Sequence, residues 1–235
     1  MSTKKRILLK LTGELLLSPD KKSLDASCVK AVIAQIKALS DSHQFGIVLG
    51  GGNFFRGSAQ GTALGINPSV GHHVGMLATM MNGLLVKDLF EQQGFAVALF
   101  SALSCPEIGL PTSQQSIDFA LQREQILLFA GGTGNPFFTT DTNAVLRSLQ
   151  MQTAHIWKGT NVDGVYDSDP RTNPAAKLLK QVSYADALQQ KLGIMDLAAF
   201  AMAQQYGQEI RVFNIFNPDA LIGVANDTTI GSVIR

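Results

Sequence analysis

Residues 7–17, ILLKLTGELLL, decide the fold, because an apolar strand-like segment runs here into a lysine and then a glycine. A segment this rich in leucine is typical of a strand in a parallel sheet that is buried on both faces, where an ammonium group loses its water and needs a partner. Lys10 stands near the end of the segment, just before Thr12 and Gly13. Glycine lets the backbone turn and approach a ligand closely, so these residues predict an anion site at the end of the first strand.

Short apolar segments alternate along the chain with segments of helical length. The predicted strands cover 5–11, 45–50, 95–100, 126–132, 155–159 and 210–215. The predicted helices cover 25–41, with Asp25 as its N-cap, and 69–93, 113–124, 141–151, 183–191, 195–206 and 218–225. The turn-rich stretch 159–182 predicts an excursion with a short hairpin. Such an alternation favours an α/β fold, a mostly parallel sheet with helices on both faces and ligands at the carboxyl ends of its strands.

The composition excludes several classes of protein. Of 235 residues, 46% are hydrophobic and 16% are charged, and the net charge is +1, so no bulk charge points to a nucleic-acid partner. Lys10 and Glu14 divide the first apolar stretch into pieces too short for a signal peptide, and we expect a cytoplasmic protein. The apolar stretch 74–86 carries Thr79 and Asn82 and is too short to span a membrane, so it predicts a buried helix and no membrane partner.

Four predicted strands run directly into glycine-rich or small polar loops. The loops are KLTGE at 10–14, GGGNFFRG at 50–57, GGTGNPFFTTD at 131–141 and WKGTNVDG at 157–164. Three cations, Lys10, Arg56 and Lys158, lie in these loops. A helix that starts after such a loop directs free N–H groups at an anion. Four such loops at one sheet edge, with three cations, favour a site that handles phosphate over ordinary turn chemistry.

Several familiar motifs are absent from the sequence. The segment 52–58 has Arg56-Gly57-Ser58 where a P-loop needs Gly-Lys-Ser or Gly-Lys-Thr. No GxGxxG fingerprint follows a strand, and neither GxSxG nor HExxH occurs. His72 and His73 are adjacent, so both cannot face one metal ion from the same helix.

The loop at 131–141 is the most specific of the four. Thr139 and Thr140 precede the next predicted helix, where their hydroxyl groups can cap the helix or hold a phosphate. Phe137 and Phe138 either belong to the core or form a wall for a flat base.

Six segments together resemble the bacterial uridylate kinases, a branch of the amino acid kinase family. They are KLTGE, GGGNFFRG, GMLATMMNGL, AGGTGNPFFTTD, DGVYDSDP and MDLAAFAMAQQ, and the resemblance runs along nearly the whole chain. It implies a three-layer α/β/α sandwich, and transfer of the γ-phosphoryl group of ATP to UMP with Mg²⁺. It also implies one domain over 1–235, with an N-terminal lobe to about residue 130 and a C-terminal lobe from about 131, and a homohexamer.

The resemblance also assigns roles to residues of this sequence. Lys10 and Lys158 are expected to neutralise charge on the transferring group, and Asp141 to hold both lysines. The residues expected to contact ATP are Lys10, Leu11, Thr12, Gly13, Gly52, Arg56, Thr160, Asn161, Tyr166 and Asp169. The residues expected to contact UMP are Gly51, His72, Thr133, Gly134, Asn135, Pro136, Phe137, Phe138, Thr139 and Thr140. No residue is assigned as a ligand of Mg²⁺.

Three features depart from the pattern of the uridylate kinases. In the region linked to activation by GTP, LLLSPDKKS at 15–23 replaces a glycine-rich stretch, and Glu91 stands where a basic residue is expected and would repel a triphosphate. His72 stands where that pattern has an acidic residue for the UMP ribose, and a neutral imidazole can still form a hydrogen bond with a hydroxyl group. Asn161 stands beside Thr160 where a lysine is also common.

Two other functions stay open on the sequence alone. The first is an enzyme of the same fold that phosphorylates a carboxylate, carbamate or another nucleotide, although a carboxylate acceptor has less use for a threonine-rich loop beside paired phenylalanines. The second is a non-catalytic protein of this fold that binds nucleotides or oxyanions. The joint presence of Lys10, Asp141 and Lys158 argues against lost chemistry.

Overall fold

The chain folds around a sheet whose strands come from most of its length. The computed structural model describes residues 4–55, 60–61, 63–153, 155–190, 192–226 and 229–235. The described strands are β1 (Lys5–Leu11), β2 (His43–Leu49), β3 (Val97–Ser101), β4 (Leu110–Pro111), β5 (Ile126–Ala130), β6 (His155–Thr160), β7 (Val165–Tyr166), β8 (Leu178–Leu179), β9 (Gln181–Val182), β10 (Glu209–Asn214) and β11 (Ser232–Ile234). β7 and β8 form a separate antiparallel hairpin, and the other strands form one sheet.

The main sheet is mostly parallel, as predicted. Its strand order is β4-β3-β5-β2-β1-β6-β10-β11-β9, and each described pair is parallel except β10 with β11. The carboxyl ends of β1, β2, β5, β6 and β10 therefore meet at one edge of the sheet, here called the carboxyl edge. The amino ends of the same strands form the opposite edge, here called the amino edge.

Helices cover both faces of the sheet. The described α-helices are α1 (Ser27–Leu39), α2 (Pro68–Glu91), α3 (Gln114–Gln122), α4 (Thr140–Gln150), α5 (Tyr184–Gln189), α6 (Leu197–Gln205) and α7 (Ala220–Asn226). Buried side chains of α1, α2 and α7 pack on one face, and those of α3, α4, α5 and α6 pack on the other. The predicted three-layer α/β/α sandwich is confirmed.

The alternation of side chains along β1 explains where Lys10 points. Ile7, Leu9 and Leu11 belong to the layer that contains α1, whereas Leu8 belongs to the layer that contains α4. Lys10 follows Leu8 by two residues, so its side chain lies on the same face of the sheet as α4. The strand is apolar on both faces and ends with one cation on the side of α4.

The prediction that Asp25 is an N-cap is wrong by one residue. α1 begins at Ser27, so Ala26 is the N-cap residue, and it makes no side-chain cap bond. The carboxylate of Asp25 instead accepts a hydrogen bond from the Ser27 N–H at 2.6 Å. A free amide of the first helical turn is thus satisfied from one residue further out.

The remaining predicted elements agree with the structure to within a few residues at their ends, and the predicted hairpin is β7–β8. Three strands at the margins of the sheet were missed: β4 and β9 have two residues each and β11 has three. Segments this short show no alternation in the sequence. Among the described helices, none is long and apolar enough to cross a membrane.

Candidate active site

Two lysines and one aspartate meet at the carboxyl edge. Lys10 of β1 and Lys158 of β6 are paired residues on neighbouring parallel strands. Asp141, in the first turn of α4, lies between them: its Oδ1 is 3.0 Å from the Nζ of Lys10, and its Oδ2 is 2.7 Å from the Nζ of Lys158. The structure thus brings together the three residues expected to be catalytic, here called the triad.

The triad carries more positive than negative charge in a largely buried place. Lys158 is only 6% exposed, and its Nζ also donates a hydrogen bond to the carbonyl oxygen of Ile194. Burial lowers the pKa of Lys158 to about 8, although Asp141 acts in the opposite direction. Burial raises the pKa of Asp141, but the charges of Lys10 and Lys158 outweigh it and hold that pKa below its ordinary value. The carboxylate therefore stays ionised between two cations, and positive charge is left over for a ligand.

The first loop leaves β1 and starts a short helix. Leu11 is buried as the last residue of the strand. The Oγ1 of Thr12 accepts a hydrogen bond from the Glu14 N–H at 3.3 Å and caps the 3₁₀ helix Gly13–Leu16. The backbone thus turns sharply within two residues of Lys10.

The second loop packs tightly against α2. A Cβ atom at Gly51 would lie 2.8 Å from the Cβ of Ala78, so only glycine fits between the loop and the helix. Gly52, the next residue, is exposed at the carboxyl edge. Arg56 lies outside the described residues.

The third loop follows β5 and depends on glycine. Gly131, Gly132 and Gly134 have φ angles of +73°, +58° and +81°, in the left-handed region that costs a side chain energy. The Gly131 N–H donates a hydrogen bond at 2.8 Å to the Oγ1 of Thr79, a residue of α2. Phe137 also has a positive φ, +70°, which is uncommon for a bulky residue. The loop therefore holds a specific turned shape next to the triad.

Threonines of the third loop make the contacts that lead into α4. Thr139 is the N-cap of this helix, and its Oγ1 accepts a hydrogen bond from the Asp141 N–H at 3.0 Å. Thr140 is the first residue of the helix. Earlier in the loop, the Asn135 N–H donates to the Oγ1 of Thr133 at 3.2 Å. The predicted capping role of Thr139 is confirmed, and it places Asp141 in the first turn, where the helix dipole favours a negative charge.

The aromatic residues of the third loop are on the surface. Phe137 is 70% exposed and Phe138 is 47% exposed, so neither belongs to the core. Both follow Pro136 in the chain. The ring of Phe137 lies 5.0 Å from the ring of His72, at an angle of 56° between the ring planes. His72 belongs to α2, so this ring contact links the third loop to the start of that helix.

A cavity of about 480 Å³ opens next to Lys158. Four of the residues expected to contact ATP line this cavity: Thr160, Asn161, Tyr166 and Asp169. The carboxylate of Asp169 forms an ion pair with Arg171 at 3.1 Å. Pockets for small molecules commonly have a volume of this size, and a polar wall beside a cation suits a charged ligand.

One protein family accounts for almost the whole chain that builds this geometry. The model of the amino acid kinase family matches residues 5–214. The chain belongs to the amino acid kinase family. Its relatives in this family include a uridylate kinase of Haemophilus influenzae (strain PittEE), which is 42% identical over 98% of this chain and 97% of the relative. A uridylate kinase of Coxiella burnetii is 40% identical over 98% of this chain and 95% of the relative.

Two solved structures of UMP kinases have the same fold. The UMP kinase from Ureaplasma parvum matches with a TM-score of 0.93 and 33% identity over the full length of both chains. The UMP kinase from Bacillus anthracis matches with a TM-score of 0.93 and 29% identity, over 100% of this chain and 97% of that one.

Sequence reasoning missed one carboxylate of the candidate active site. Asp196 is the N-cap of α6 and accepts a hydrogen bond from the Ala199 N–H at 2.9 Å. Its Oδ2 also accepts from the hydroxyl groups of Thr142, at 2.8 Å, and of Thr139. An aspartate just before the apolar run LAAFAMA signals a helix start, but nothing in the sequence shows that it reaches α4. Asp196 thus fixes the beginning of α4, and with it Asp141.

Proposed function

We propose that this member of the amino acid kinase family transfers the γ-phosphoryl group of ATP to UMP and produces UDP and ADP. The observation that carries the proposal is the triad at the carboxyl edge, between a nucleotide-sized cavity and the glycine- and threonine-rich third loop. The names of the relatives, uridylate kinase and UMP kinase, support UMP as the acceptor.

The lysines of the triad have the charge and the rigidity that this reaction needs. Two polyanions brought together repel each other, and the charge that develops on the transferring group needs fixed cations. Lys10 and Lys158 sit on neighbouring strands in fixed register, and Asp141 holds both ammonium groups. They can therefore stabilise the transferring group without rearrangement, and they hold the donor and acceptor phosphates at one place.

No strong base is required of the triad. The phosphate of UMP is already ionised at neutral pH, so its attacking oxygen carries no proton that must be removed. Each carboxylate oxygen of Asp141 faces one lysine. Asp141 therefore acts by orienting the cations.

ATP and UMP approach the triad from different sides. The nucleoside of ATP occupies the cavity beside Lys158, with Tyr166 and Asp169 in its wall, and its phosphates lie along the first loop. UMP lies against the third loop, near Gly51 and His72. The resemblance assigns acceptor and subunit contacts mainly to the N-terminal lobe, to about residue 130, and ATP mainly to the C-terminal lobe, from about 131. In the arrangement proposed here each substrate contacts both lobes.

Magnesium accompanies ATP in this proposal. Among the described residues, no three His, Cys, Asp or Glu side chains lie close enough to form a metal site. Mg²⁺ is commonly held by one or two carboxylates together with phosphate oxygens and water, so the residues present fit an ion that arrives on ATP. When bound, the ion neutralises charge on the phosphates; the residues of this chain position those phosphates.

The protein works as a cytoplasmic homo-oligomer in this proposal, a hexamer by resemblance. The outer side of α2 exposes four large apolar side chains between residues 77 and 85. These are Leu77 at 56%, Met81 at 48%, Leu84 at 46% and Leu85 at 40% exposure. An apolar stripe of this kind on a monomer is typical of a surface for another subunit. Sedimentation equilibrium of Met81→Glu against the wild type tests it, because a charge in this stripe should lower the mass of the assembly.

The decisive experiment for the activity is a comparison of acceptors. Purified protein is incubated with ATP, Mg²⁺ and, in turn, UMP, CMP, AMP, carbamate and N-acetylglutamate, and ADP release is measured. We expect UMP to give the highest kcat/KM. Lys158→Met, prepared in the same way, controls for contaminating kinases. Equal rates with all acceptors, or a preference for carbamate or N-acetylglutamate, would contradict the proposal.

A further inference from the structure

Asn82 is a polar side chain in the middle of α2 that is completely buried, with an exposed fraction of 0%. Its Nδ2 donates hydrogen bonds at 2.7 Å to the carbonyl oxygen of Gly50 and at 2.7 Å to the Oδ1 of Asn53. Its Oδ1 accepts a hydrogen bond from the Nδ2 of Asn53 at 2.9 Å. The two amides thus bond reciprocally, and all three bonds connect α2 to the second loop.

The first loop rests on the same amide pair. A Cβ atom at Gly13 would collide with the Oδ1 of Asn53 and would lie 2.6 Å from the Gly50 carbonyl oxygen and 3.0 Å from the Nδ2 of Asn82. The Gly50 N–H also donates a hydrogen bond to the carbonyl oxygen of Leu11 at 2.9 Å. The first loop can therefore approach the second only as far as the Asn53–Asn82 pair allows.

α2 holds the third loop in a similar way. Thr79 lies one turn before Asn82, and its Oγ1 accepts a hydrogen bond from the Gly131 N–H at 2.8 Å. The same hydroxyl donates to the carbonyl oxygen of Met76 at 2.7 Å, so it is hydrogen-bonded both as a donor and as an acceptor. Two buried polar residues on one side of α2 thus connect to three loops around the triad.

We propose that the Asn53–Asn82 pair is a positioning element that sets the distance between the donor and acceptor phosphates. This inference rests on the proposed function, which places the ATP phosphates on the first loop and UMP near Gly51. Neither amide belongs to the triad, so the pair acts through the loops. In-line transfer needs reacting atoms about 3–3.5 Å apart, and a displacement of about 1 Å far from the chemistry can cost about 10²-fold in rate. The pair should therefore affect kcat more than substrate binding.

Three single variants, and the double variant that combines Asn53→Ala with Asn82→Ala, separate positioning from simple stability. Asn82→Ala removes both hydrogen bonds of the amide pair and the bond to Gly50. Asn53→Ala removes only the bonds of the pair, and Asn53 is half-buried, so this change is less disruptive to packing. Gln44→Met is the matched control: Gln44 is a buried amide of β2 that donates at 3.0 Å to the Leu121 carbonyl oxygen, at the amino edge. Steady-state kinetics with ATP and UMP and thermal unfolding are measured for each variant.

The expected result is a separation of kcat from KM and from stability. Asn82→Ala and Asn53→Ala should lower kcat about tenfold or more, with each KM changed less than about threefold. Gln44→Met should lower the unfolding temperature and leave kcat within about twofold of the wild type. The double variant should lose no more kcat than Asn82→Ala, because the two amides act as one unit.

Each other outcome overturns the inference. Wild-type kcat in Asn53→Ala, or in Asn82→Ala below its unfolding temperature, would show that the pair only stabilises the fold. An equal loss of kcat in Gln44→Met would show the same. If Asn82→Ala does not fold, the kcat of Asn53→Ala distinguishes positioning from fold stability. A wild type without UMP-dependent ADP release would overturn the proposed function and this inference together, whereas normal wild-type turnover with unaffected variants would overturn the inference alone.

Discussion

The two edges of the sheet bury polar groups for different purposes. At the amino edge, the Oγ of Ser148 bonds with Thr153 and with the side chain of Gln208, and the Tyr184 hydroxyl donates to the Gln208 carbonyl oxygen at 2.7 Å. These groups are neutral and satisfy one another. At the carboxyl edge, the triad sets two cations against one carboxylate. Burial without a net charge stabilises the fold, whereas burial with a surplus charge prepares a site for an anion.

The largest expected effect on kcat distinguishes the two lysines at opposite ends of β1. Lys10→Met removes a cation of the triad, so we expect kcat to fall on the order of 10²-fold or more while the protein stays folded. Lys5→Met is the control, because Lys5 is an exposed lysine at the amino end of the same strand. Turnover and circular dichroism of both variants check the prediction. Near wild-type turnover in Lys10→Met would make that lysine structural.

The second effect is the dependence of activity on pH. Burial lowers the pKa of Lys158 to about 8, so the free enzyme loses a cation of the triad as the pH rises through that value. We expect kcat/KM to fall about tenfold per pH unit above this point. Lys158→Arg keeps its charge to a much higher pH, so its profile should lack this alkaline decrease, even if its maximum is lower. The same decrease in both proteins would assign it to another group.

The free energy of unfolding should increase with pH over the same range in which the activity decreases. Between the folded pKa of about 8 and the ordinary value of 10.5, the unfolded chain binds more protons at Lys158 than the folded chain does. This group therefore makes the free energy of unfolding increase with pH in that window. Chemical denaturation at several pH values measures the slope, and Lys158→Met should reduce it. An unchanged slope in the variant would contradict the effect of burial on this lysine.

A smaller effect tests the ring contact at the carboxyl edge. His72→Ala removes the partner of Phe137, so we expect the KM for UMP to rise about 3- to 10-fold and the KM for ATP to change less. His73→Ala is the adjacent control, because the His73 Nδ1 lies 2.7 Å from the carbonyl oxygen of Ser69, within α2. Equal changes for both substrates, or in both variants, would place His72 outside the acceptor site.

The smallest expected effect on activity belongs to the amino edge. Ser148→Ala removes one hydrogen bond from the hydroxyl group of Thr153, which still donates to the His155 carbonyl oxygen, and one from the buried Oε1 of Gln208. We expect this loss to lower the free energy of unfolding by about 1–3 kcal/mol. We expect kcat to stay at the wild-type level, because the network lies at the other end of the strands from the triad. Denaturant unfolding and kinetics on one preparation measure both quantities. A loss of kcat here would remove the distinction between the two edges.

The sequence predicted the architecture and the special position of Lys10 for identifiable physical reasons. Long apolar segments have room for a periodic pattern, so the central strands and the helices could be recognised. Lys10 was conspicuous because a cation in a buried strand needs an anion. The roles of Asp141 and Lys158 came from resemblance to known proteins. The two- and three-residue strands at the sheet margins carry no such pattern and were missed.

The polar residues that connect different parts of the chain could not be predicted. In the sequence Asn82 and Thr79 only interrupt the apolar pattern of a buried helix, because their partners lie in loops distant in sequence. Asp196 carries the signal of a helix cap, and its bonds to Thr139 and Thr142 exist only once α4 and α6 pack together. Local patterns show which side chains are polar; tertiary packing decides what they contact.

The pairing of β1 with β6 also determines at which stage of folding the active site forms. Lys10 and Lys158 become neighbours only through this parallel register, although they belong to distant parts of the chain. During synthesis from the N-terminus, β1 can pair with β2 early, but its other side waits until β6 has left the ribosome. A ligand stabilises only the state that binds it. A nucleotide that binds at the triad therefore stabilises only chains in which β1 and β6 have already paired.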